Sequence, residues 1–356
     1  MSSETDAPAG LVAAPASRRL FAELHERARV ELFRSLPSGE PGRWLYDLLP
    51  EYPRRAGKGL RPVLCLASCR AFGGIDDDAL AFAVALELLH NAFLVHDDIQ
   101  DGSNRRRGRP TLHIEHGVPL ALNVGDALAA LANGVVARRA QSLRPAVMTA
   151  VLDGWERMTR ETIEGQALDL GWQRDRDIDV SIADYLTMAA KKTAWYTGVQ
   201  PLAIGAVVGS GDADRQLDTF GFGWYLGLLF QIVNDLDGLR ALPGDGDIEE
   251  GKRTLPIVAL PSVLEGLERA ELDRIMALER CRRGPCQVAW VLDRLTDTGV
   301  VDAVRACAFA LAAAATQEAD AALRDLPPSS ACDLLRSLPA LLLEQAGLVR
   351  LPDTRV

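Results

Sequence analysis

Hydrophobic residues recur at spacings of three and four along most of this chain, in long segments rich in alanine and leucine. This spacing is that of one face of an α-helix, and both residue types favour helices. No segment shows the alternation of β-branched and polar residues that is typical of a half-buried strand. The pattern therefore predicts an all-α fold, with the helices packed as one large bundle.

Breaks rich in proline and glycine separate the helical segments, and none is long enough to be a domain linker. We therefore expect one all-helical domain over residues 18–350. Residues 1–17 lack the basic and apolar parts of a signal sequence, which predicts a disordered tail. The longest apolar runs, 79–95 and 219–233, are short and interrupted, so we expect no transmembrane segment.

Two of the apolar helices end in acidic residues. In the first, Asp97 and Asp101 are four residues apart and share one face, while Asp98 flanks them. Three carboxylates this close repel one another, so a cation should bind there. Oxygen ligands without clustered histidine or cysteine suit Mg²⁺. A solvated helix end is the alternative, but the largely apolar residues 84–95 favour a buried site.

The second acidic helix carries Gln231, Asn234, Asp235 and Gly238 on one face, while Asp237 points elsewhere. Opposed across a bundle, the two acidic ends would form a metal-lined mouth above a central apolar cavity. The predicted metal ligands are Asp97, Asp98, Asp101, Asn234 and Asp235.

Basic residues form two groups, and both suit phosphate oxygens. The group near the acids consists of Arg106, Lys192 and Lys252, the last placed after a loop, 239–250, that could close as a lid. The group apart from them consists of Lys58, Arg61, His90 and Arg107. Two groups predict two phosphorylated ligands, of which only one is held through metal.

Composition narrows the class of protein. The net charge of −10 and the pI near 5.1 argue against a general nucleic-acid binder. The six cysteines show neither a CxxC motif nor zinc spacing, which indicates a reducing cytoplasm.

Five spaced motifs, between about Gly57 and Leu260, resemble those of the trans-isoprenyl diphosphate synthase (polyprenyl synthetase) family. They are Gly57-Lys58-x-x-Arg61-Pro62 with His90 after it, Asp97-Asp98-x-x-Asp101 with Arg106-Arg107, Gly165-Gln166-x-x-Asp169, Lys192-Thr193-Ala194, and Phe230-Gln231-x-x-Asn234-Asp235 with Asp247 and Gly251-Lys252-Arg253-Thr254.

The resemblance implies head-to-tail condensation of an allylic diphosphate with isopentenyl diphosphate, with three Mg²⁺ ions and a homodimer. It implies that Asp97 and Asp101 act in catalysis through the metal, with Lys192, Thr193 and Gln231 steadying the allylic cation. The implied substrate-binding residues are Gly57, Lys58, Arg61, His90 and Arg107 for isopentenyl diphosphate, and Arg106, Lys192 and Lys252 for the allylic diphosphate.

Product length should depend on Ala92 and Phe93, about one turn below Asp97. A bulky ring there predicts a product of C15 to C20, by family resemblance, unless Phe93 packs sideways into the core. The family usually has aspartate where this chain has Asn234, and we expect weaker binding of one metal ion there.

Two other functions stay open. A class I terpene cyclase also ionises an allylic diphosphate between two acidic helices. It needs a hydroxyl residue and a glutamate where this chain has Gly238 and Leu242, and it has no use for the basic group apart from the acids. A non-catalytic partner subunit would account for Asn234, but the rest of the charged set is complete.

Overall fold

The computed structural model describes residues 13–55, 57–176, 178–240 and 246–349. These residues are almost entirely helical, as the hydrophobic spacing predicts. The first eight α-helices are α1 Pro15–Ser35, α2 Leu60–Ala71, α3 Asp76–Asp101, α4 Leu112–His116, α5 Val118–Ala140, α6 Pro145–Asp175, α7 Ile182–Ala189 and α8 Gln200–Ser210. The other eight are α9 Arg215–Asp218, α10 Phe220–Gly238, α11 Asp247–Glu250, α12 Leu255–Ala259, α13 Gly266–Met276, α14 Pro285–Asp297, α15 Val300–Ala322 and α16 Ser330–Gln345. Short 3₁₀ or π segments are Gly42–Tyr46, Pro53–Arg55, Ala190–Val199, Leu260–Ser262 and Arg280–Arg282.

More than half of the residues of α2, α3, α8, α10 and α16 are buried, and their buried apolar side chains belong to one contiguous core. Helix α3 packs on α5 and α2, while α10 packs on α15 and on the π-helical segment Ala190–Val199. Helix α3 ends where Gly102 takes the left-handed conformation with φ of 62°, a common helix stop. The acidic residues of both helices thus lie in the last turns, at the same end of the bundle.

A two-stranded hairpin follows α3, although the sequence showed no strand pattern. Strands β1 Arg105–Arg106 and β2 Arg109–Pro110 pair antiparallel around Arg107 and Gly108. Both turn residues have positive φ, 54° and 77°, as a tight hairpin turn requires. A side chain other than glycine rarely adopts this conformation, and such strain is found preferentially at functional sites.

Three helices, α3, α5 and α15, are long and apolar enough to cross a membrane by length and composition alone. Of these three, only α3 contains one of the two longest apolar runs of the sequence, 79–95. All three pack against other helices of the bundle, so their apolar character is no sign of a membrane span.

The predicted tail ends earlier than residue 17. Helix α1 begins at Pro15, and Ser17 is buried with its hydroxyl 3.1 Å from Ser337 Oγ. Residues 15–17 are therefore part of the bundle. The remainder of the predicted tail, residues 1–12, lies outside the described residues.

Candidate active site

A cavity of about 1040 Å³ lies between the acidic ends of α3 and α10 and extends down between α3, α5 and α6. Most of the predicted site residues line it. They are Gly57, Lys58, Arg61, His90, Ala92, Phe93, Asp97, Arg106, Arg107, Lys192, Thr193, Gln231, Asn234, Asp235, Gly238 and Lys252. The helical face predicted for α10 is therefore the face that meets the cavity.

Of the three aspartates in the last turns of α3, Asp97 is the one that lines the cavity. Its Oδ1 lies 3.6 Å from Lys192 Nζ and accepts a hydrogen bond of 3.2 Å from Gln166, while Arg106 approaches Oδ2 at 3.4 Å. Burial alone would raise the pKa of Asp97, but Lys192, Lys252 and Arg106 together lower it to about 2. This carboxylate is ionised and available to a cation at neutral pH.

Asp98, one of the predicted metal ligands, does not line the cavity. It is 1% exposed and points away from the cavity, where it accepts hydrogen bonds from the Tyr52 hydroxyl and from Arg106 Nε at 2.8 Å. Both carboxylate oxygens thus accept hydrogen bonds from the protein. The buried charge of Asp98 has Arg106 as its partner, and this pair holds the Arg106 guanidinium in place.

Asp101 lies one turn beyond Asp97 and is buried beside Lys252, with 2.7 Å between Oδ2 and Nζ. Burial, with a contribution from Asp97, raises the pKa of Asp101 to about 6 against the opposing effect of Lys252. Lys252 also contacts Glu250 at 2.8 Å, and Glu250 accepts a hydrogen bond of 2.6 Å from Ser103. These contacts fix the segment after α11 onto the end of α3.

Asp235 has neutral partners. Its Oδ2 accepts hydrogen bonds from the Tyr185 hydroxyl at 2.6 Å and from the Leu255 amide at 2.8 Å, and Gln231 donates to Oδ1 at 2.7 Å. Burial raises the pKa of Asp235 to about 7, although these three donors oppose the rise. Gln231 in turn accepts a hydrogen bond of 2.5 Å from Thr193.

Gly238 leaves room for a carboxylate from the next segment. A Cβ atom placed at Gly238 would overlap Asp247 Oδ2, so only glycine allows Asp247 to lie there. Asp247 lines the cavity together with Asn234, and its pKa is raised by burial. The carboxylate of Asp247, the first residue of α11, therefore lies beside Gly238, which has no side chain of its own.

The second basic group surrounds an aromatic ring. Arg61 is buried, lies 4.1 Å from the ring centroid of Tyr196 and donates to Thr197 Oγ1 at 2.7 Å. Burial, followed by Arg61 and Arg107, lowers the pKa of His90 well below its usual range. His90 Nδ1 is buried and has no hydrogen-bond partner among the described residues, which fits a ligand-facing atom.

Gly57 and Lys58 complete this wall of the cavity. A Cβ atom at Gly57 would lie 3.3 Å from Arg107 Nη2, so glycine leaves space for that guanidinium. Lys58 Nζ lies 3.6 Å from Asp237, and this contact explains why Asp237 faces away from the metal side. Several cations with few carboxylates nearby make this wall suitable for a second anion.

Oxygen-rich residues at the mouth fit magnesium. The acids that line the cavity are Glu87, Asp97, Asp169, Asp235, Asp247 and Glu250, and hard oxygen ligands of this kind suit Mg²⁺. A tighter group of three possible ligands, Glu51, Glu115 and His116, lies elsewhere in the described part of the chain, with atoms within 4.8 Å of one another. Arg55 lies 3.6 Å from Glu51, which makes that group less suitable for a cation.

The sequence did not identify the two tyrosines that hold the acids. Tyr52 and Tyr185 come from segments about fifty residues away from Asp98 and Asp235, and no spacing links them. The π-helical turn that carries Lys192 and Thr193 was also missed, although such turns occur often at functional sites.

Comparison with known proteins shows the family to which this chain belongs. Residues 42–285 match the family model described as "Polyprenyl synthetase". The chain is a member of the polyprenyl synthetase family. It is 37% identical over 238 residues to a geranylgeranyl diphosphate synthase of Sulfolobus acidocaldarius, covering 64% of this chain and 70% of that one. It is 33% identical over 207 residues to a (2E,6E)-farnesyl diphosphate synthase of Mycobacterium bovis, covering 56% of each.

A solved structure of a geranylgeranyl pyrophosphate synthetase from Pyrococcus horikoshii OT3 is similar throughout. It superimposes with a TM-score of 0.80 at 31% identity, over 92% of this chain and 98% of that one. This polyprenyl synthetase therefore has the all-α isoprenoid synthase fold that the sequence predicts, and it is a trans-prenyltransferase.

Proposed function

We propose that this polyprenyl synthetase condenses an allylic diphosphate with isopentenyl diphosphate to a trans-prenyl diphosphate of about C15 to C20. The observation that carries the proposal is that two separate cationic groups line one cavity, and only one of them is paired with the aspartates at the end of α3. The relatives named above are geranylgeranyl and farnesyl diphosphate synthases, which supports this product range.

The allylic diphosphate would bind at the mouth. Mg²⁺ held by Asp97, Asp101 and Asp235, with the amide oxygen of Asn234, would neutralise its negative charge there. Arg106, Lys192 and Lys252 are fixed in place by Asp98, Asp169 and Asp101, with N–O distances of 2.6 to 2.7 Å. Cations fixed in this way stabilise the charge that grows on the departing diphosphate without reorganising, and such stabilisation commonly contributes more to catalysis than any other single effect.

Isopentenyl diphosphate would bind at the second basic wall, through Lys58, Arg61, His90 and Arg107. Thr193 and Gln231, linked by their hydrogen bond of 2.5 Å, lie on the cavity wall where their oxygens would steady the allylic cation. The double bond of isopentenyl diphosphate would attack the allylic cation, and the carbocation formed would lose a proton to give the new double bond, with the released diphosphate as the proposed acceptor.

Water must be kept from the cation, because it would quench it. We propose that α11 and Lys252 shield the site from water, held in place by the contact between Lys252 and Asp101. Residues 241–245 of the predicted lid, 239–250, lie outside the described residues.

The direct test is to incubate the purified chain with Mg²⁺, isopentenyl diphosphate and each short allylic diphosphate, and to read the product masses. We expect linear diphosphates longer by multiples of five carbons, formed only when isopentenyl diphosphate is present. Conversion of the allylic diphosphate without isopentenyl diphosphate would instead show a terpene cyclase. An inactive pure chain that stimulates another synthase would show a partner subunit.

We also propose a cytoplasmic homodimer. All six cysteines are free thiols, which suits a reducing compartment. Large apolar side chains on α4, α5 and α6 are exposed, and a second copy would cover them; they are Ile114, Val118, Leu122, Leu152 and Ile163. Light scattering should give twice the chain mass of 38.5 kDa, and Leu122→Glu should shift it toward one copy.

A further inference from the structure

The cavity continues below Phe93, the residue that the sequence associated with product length. Phe93 lines the cavity, but its ring packs edge-on against Tyr196, with 5.7 Å between the centroids. Tyr196 lies under Arg61 on the wall of the second basic group. Phe93 is therefore held toward that wall, and the opposite side of the cavity, along α5 and α6, is open past it.

The depth of the cavity follows from how α5 runs beside α3. His96 of α3 lies 3.4 Å from Asp126 near the start of α5, and Arg139 near the end of α5 donates to the carbonyl oxygen of Asp78. The two helices are thus antiparallel. Asn133, seven residues along α5 from Asp126, lies about 10 Å deeper than His96 at the usual helical rise.

Small side chains line this deeper part. They are Ala129 on α5 and Thr159 and Thr162 on α6. Gln166 of α6 contacts Asp97 at the mouth, so residues with lower numbers in α6 lie progressively deeper. Thr159 and Asn133 are the deepest residues of α6 and α5 that line the cavity.

Directly beyond them, Trp155 connects the two helices. It lies one turn below Thr159, is 6% exposed, and its indole Nε1 donates to Asn133 Oδ1 at 2.8 Å. A buried indole requires a hydrogen-bond partner, and this one holds a bulky ring behind Asn133, one of the deepest residues that line the cavity.

Given the proposed function, we infer that the Trp155–Asn133 pair is the stop that ends growth of the prenyl chain, and that Phe93 is not. The tail of the product occupies the space lined by Ala129, Thr159 and Thr162 until its end reaches the indole. Trp155 is then the specificity-determining residue for product length, and Asn133 positions it.

The test compares product masses from the purified full-length chain and three variants, with Mg²⁺, isopentenyl diphosphate and farnesyl diphosphate. Trp155→Ala should lengthen the main product by at least one five-carbon unit. Trp155→Phe, the matched control, keeps most of the ring and should give products close to the wild-type length. Ala129→Phe places a ring above the stop and should shorten the main product.

A folded, active Trp155→Ala variant with wild-type product lengths would overturn the inference. Circular dichroism shows whether Trp155→Ala folds. If it does not fold, Ala129→Phe is the test, and wild-type product lengths from an active Ala129→Phe variant would overturn the inference equally. Incorporation of isopentenyl diphosphate by the wild-type chain is measured first. If the wild-type chain incorporates no isopentenyl diphosphate, the proposed function is wrong. If it does, and the variants give unaltered product lengths, only the assignment of Trp155 as the stop is wrong.

Discussion

The two acidic helix ends look alike in sequence but differ in what surrounds them. Asp97 on α3 lies among Lys192, Lys252 and Arg106, and these cations lower its pKa to about 2. Asp235 on α10 is held by a phenol and two amides, and burial raises its pKa to about 7. In the absence of metal, Asp97 is fully anionic and Asp235 is only partly ionised near pH 7.

This difference indicates an order of events. A cation is attracted first to the anionic end, and the second end becomes fully charged only when a cation compensates for its burial. We therefore expect the same pattern of acids on an apolar helix to attract a cation readily at Asp97, and at Asp235 only with a larger cost of ionisation.

Removing the cavity-facing acid of the first end should have the largest effect. Asp97→Ala should lower turnover by about a hundredfold or more, as expected for deleting one electrostatic contribution to the transition state. Steady-state kinetics at saturating Mg²⁺ would measure this, with Asp153→Ala on the exposed side of α6 as the control. A variant that keeps most of its activity would show that Asp97 has no such function.

The neighbouring Asp98 should affect stability more than metal binding. Asp98→Asn leaves Arg106 with a weaker partner, and breaking a buried pair of this kind costs about 3 to 5 kcal/mol. Urea unfolding of Asp98→Asn and Asp97→Asn would compare the two positions. Equal stability losses would contradict the separate functions assigned to them.

The second end should make stability depend on pH in metal-free protein. Because the pKa of Asp235 is raised in the folded state, its stabilising contribution is complete below about pH 4 and is lost as pH rises through 7. Between pH 4 and pH 8 the free energy of unfolding should fall by on the order of a few kcal/mol more than it does for Asp235→Asn. Thermal unfolding in EDTA between pH 4 and 8 would measure it, and parallel curves for the two proteins would refute the assignment.

The smallest effect should come from Asn234. Asn234→Asp adds a charge next to Asp235 and should lower the Mg²⁺ concentration for half-maximal rate by several-fold, on the order that ligand charge changes affinity. Asp237→Asn is the matched control, because Asp237 contacts Lys58 and lies off the metal face. It should alter the KM for isopentenyl diphosphate and leave the Mg²⁺ requirement unchanged.

Sequence periodicity was sufficient to predict the helices and the faces that meet the cavity. Asp97, His90 and Phe93 share one face of α3, and spacing alone shows this. The direction of Asp98 could not be found in the same way, because it depends on Tyr52 from a segment 46 residues earlier. Contacts between distant segments leave no periodic signal.

The surroundings of Asp235 were hidden for the same reason. Two of its three neutral partners come from α7 and from the start of α12, and its raised pKa is a result of burial that composition does not reveal. The deep end of the cavity likewise depends on a pairing between α5 and α6, 22 residues apart.

The mechanism proposed here requires the acidic ends of α3 and α10 to hold one cluster of metal ions around a diphosphate. Crystals grown with Mn²⁺ and inorganic pyrophosphate would show this through the anomalous scattering of the metal. We expect metal peaks between Asp97 and Asp101 on α3 and Asn234 and Asp235 on α10, bridged by the pyrophosphate. Metal bound only at Glu51, Glu115 and His116, or at one helix end without the other, would contradict the account.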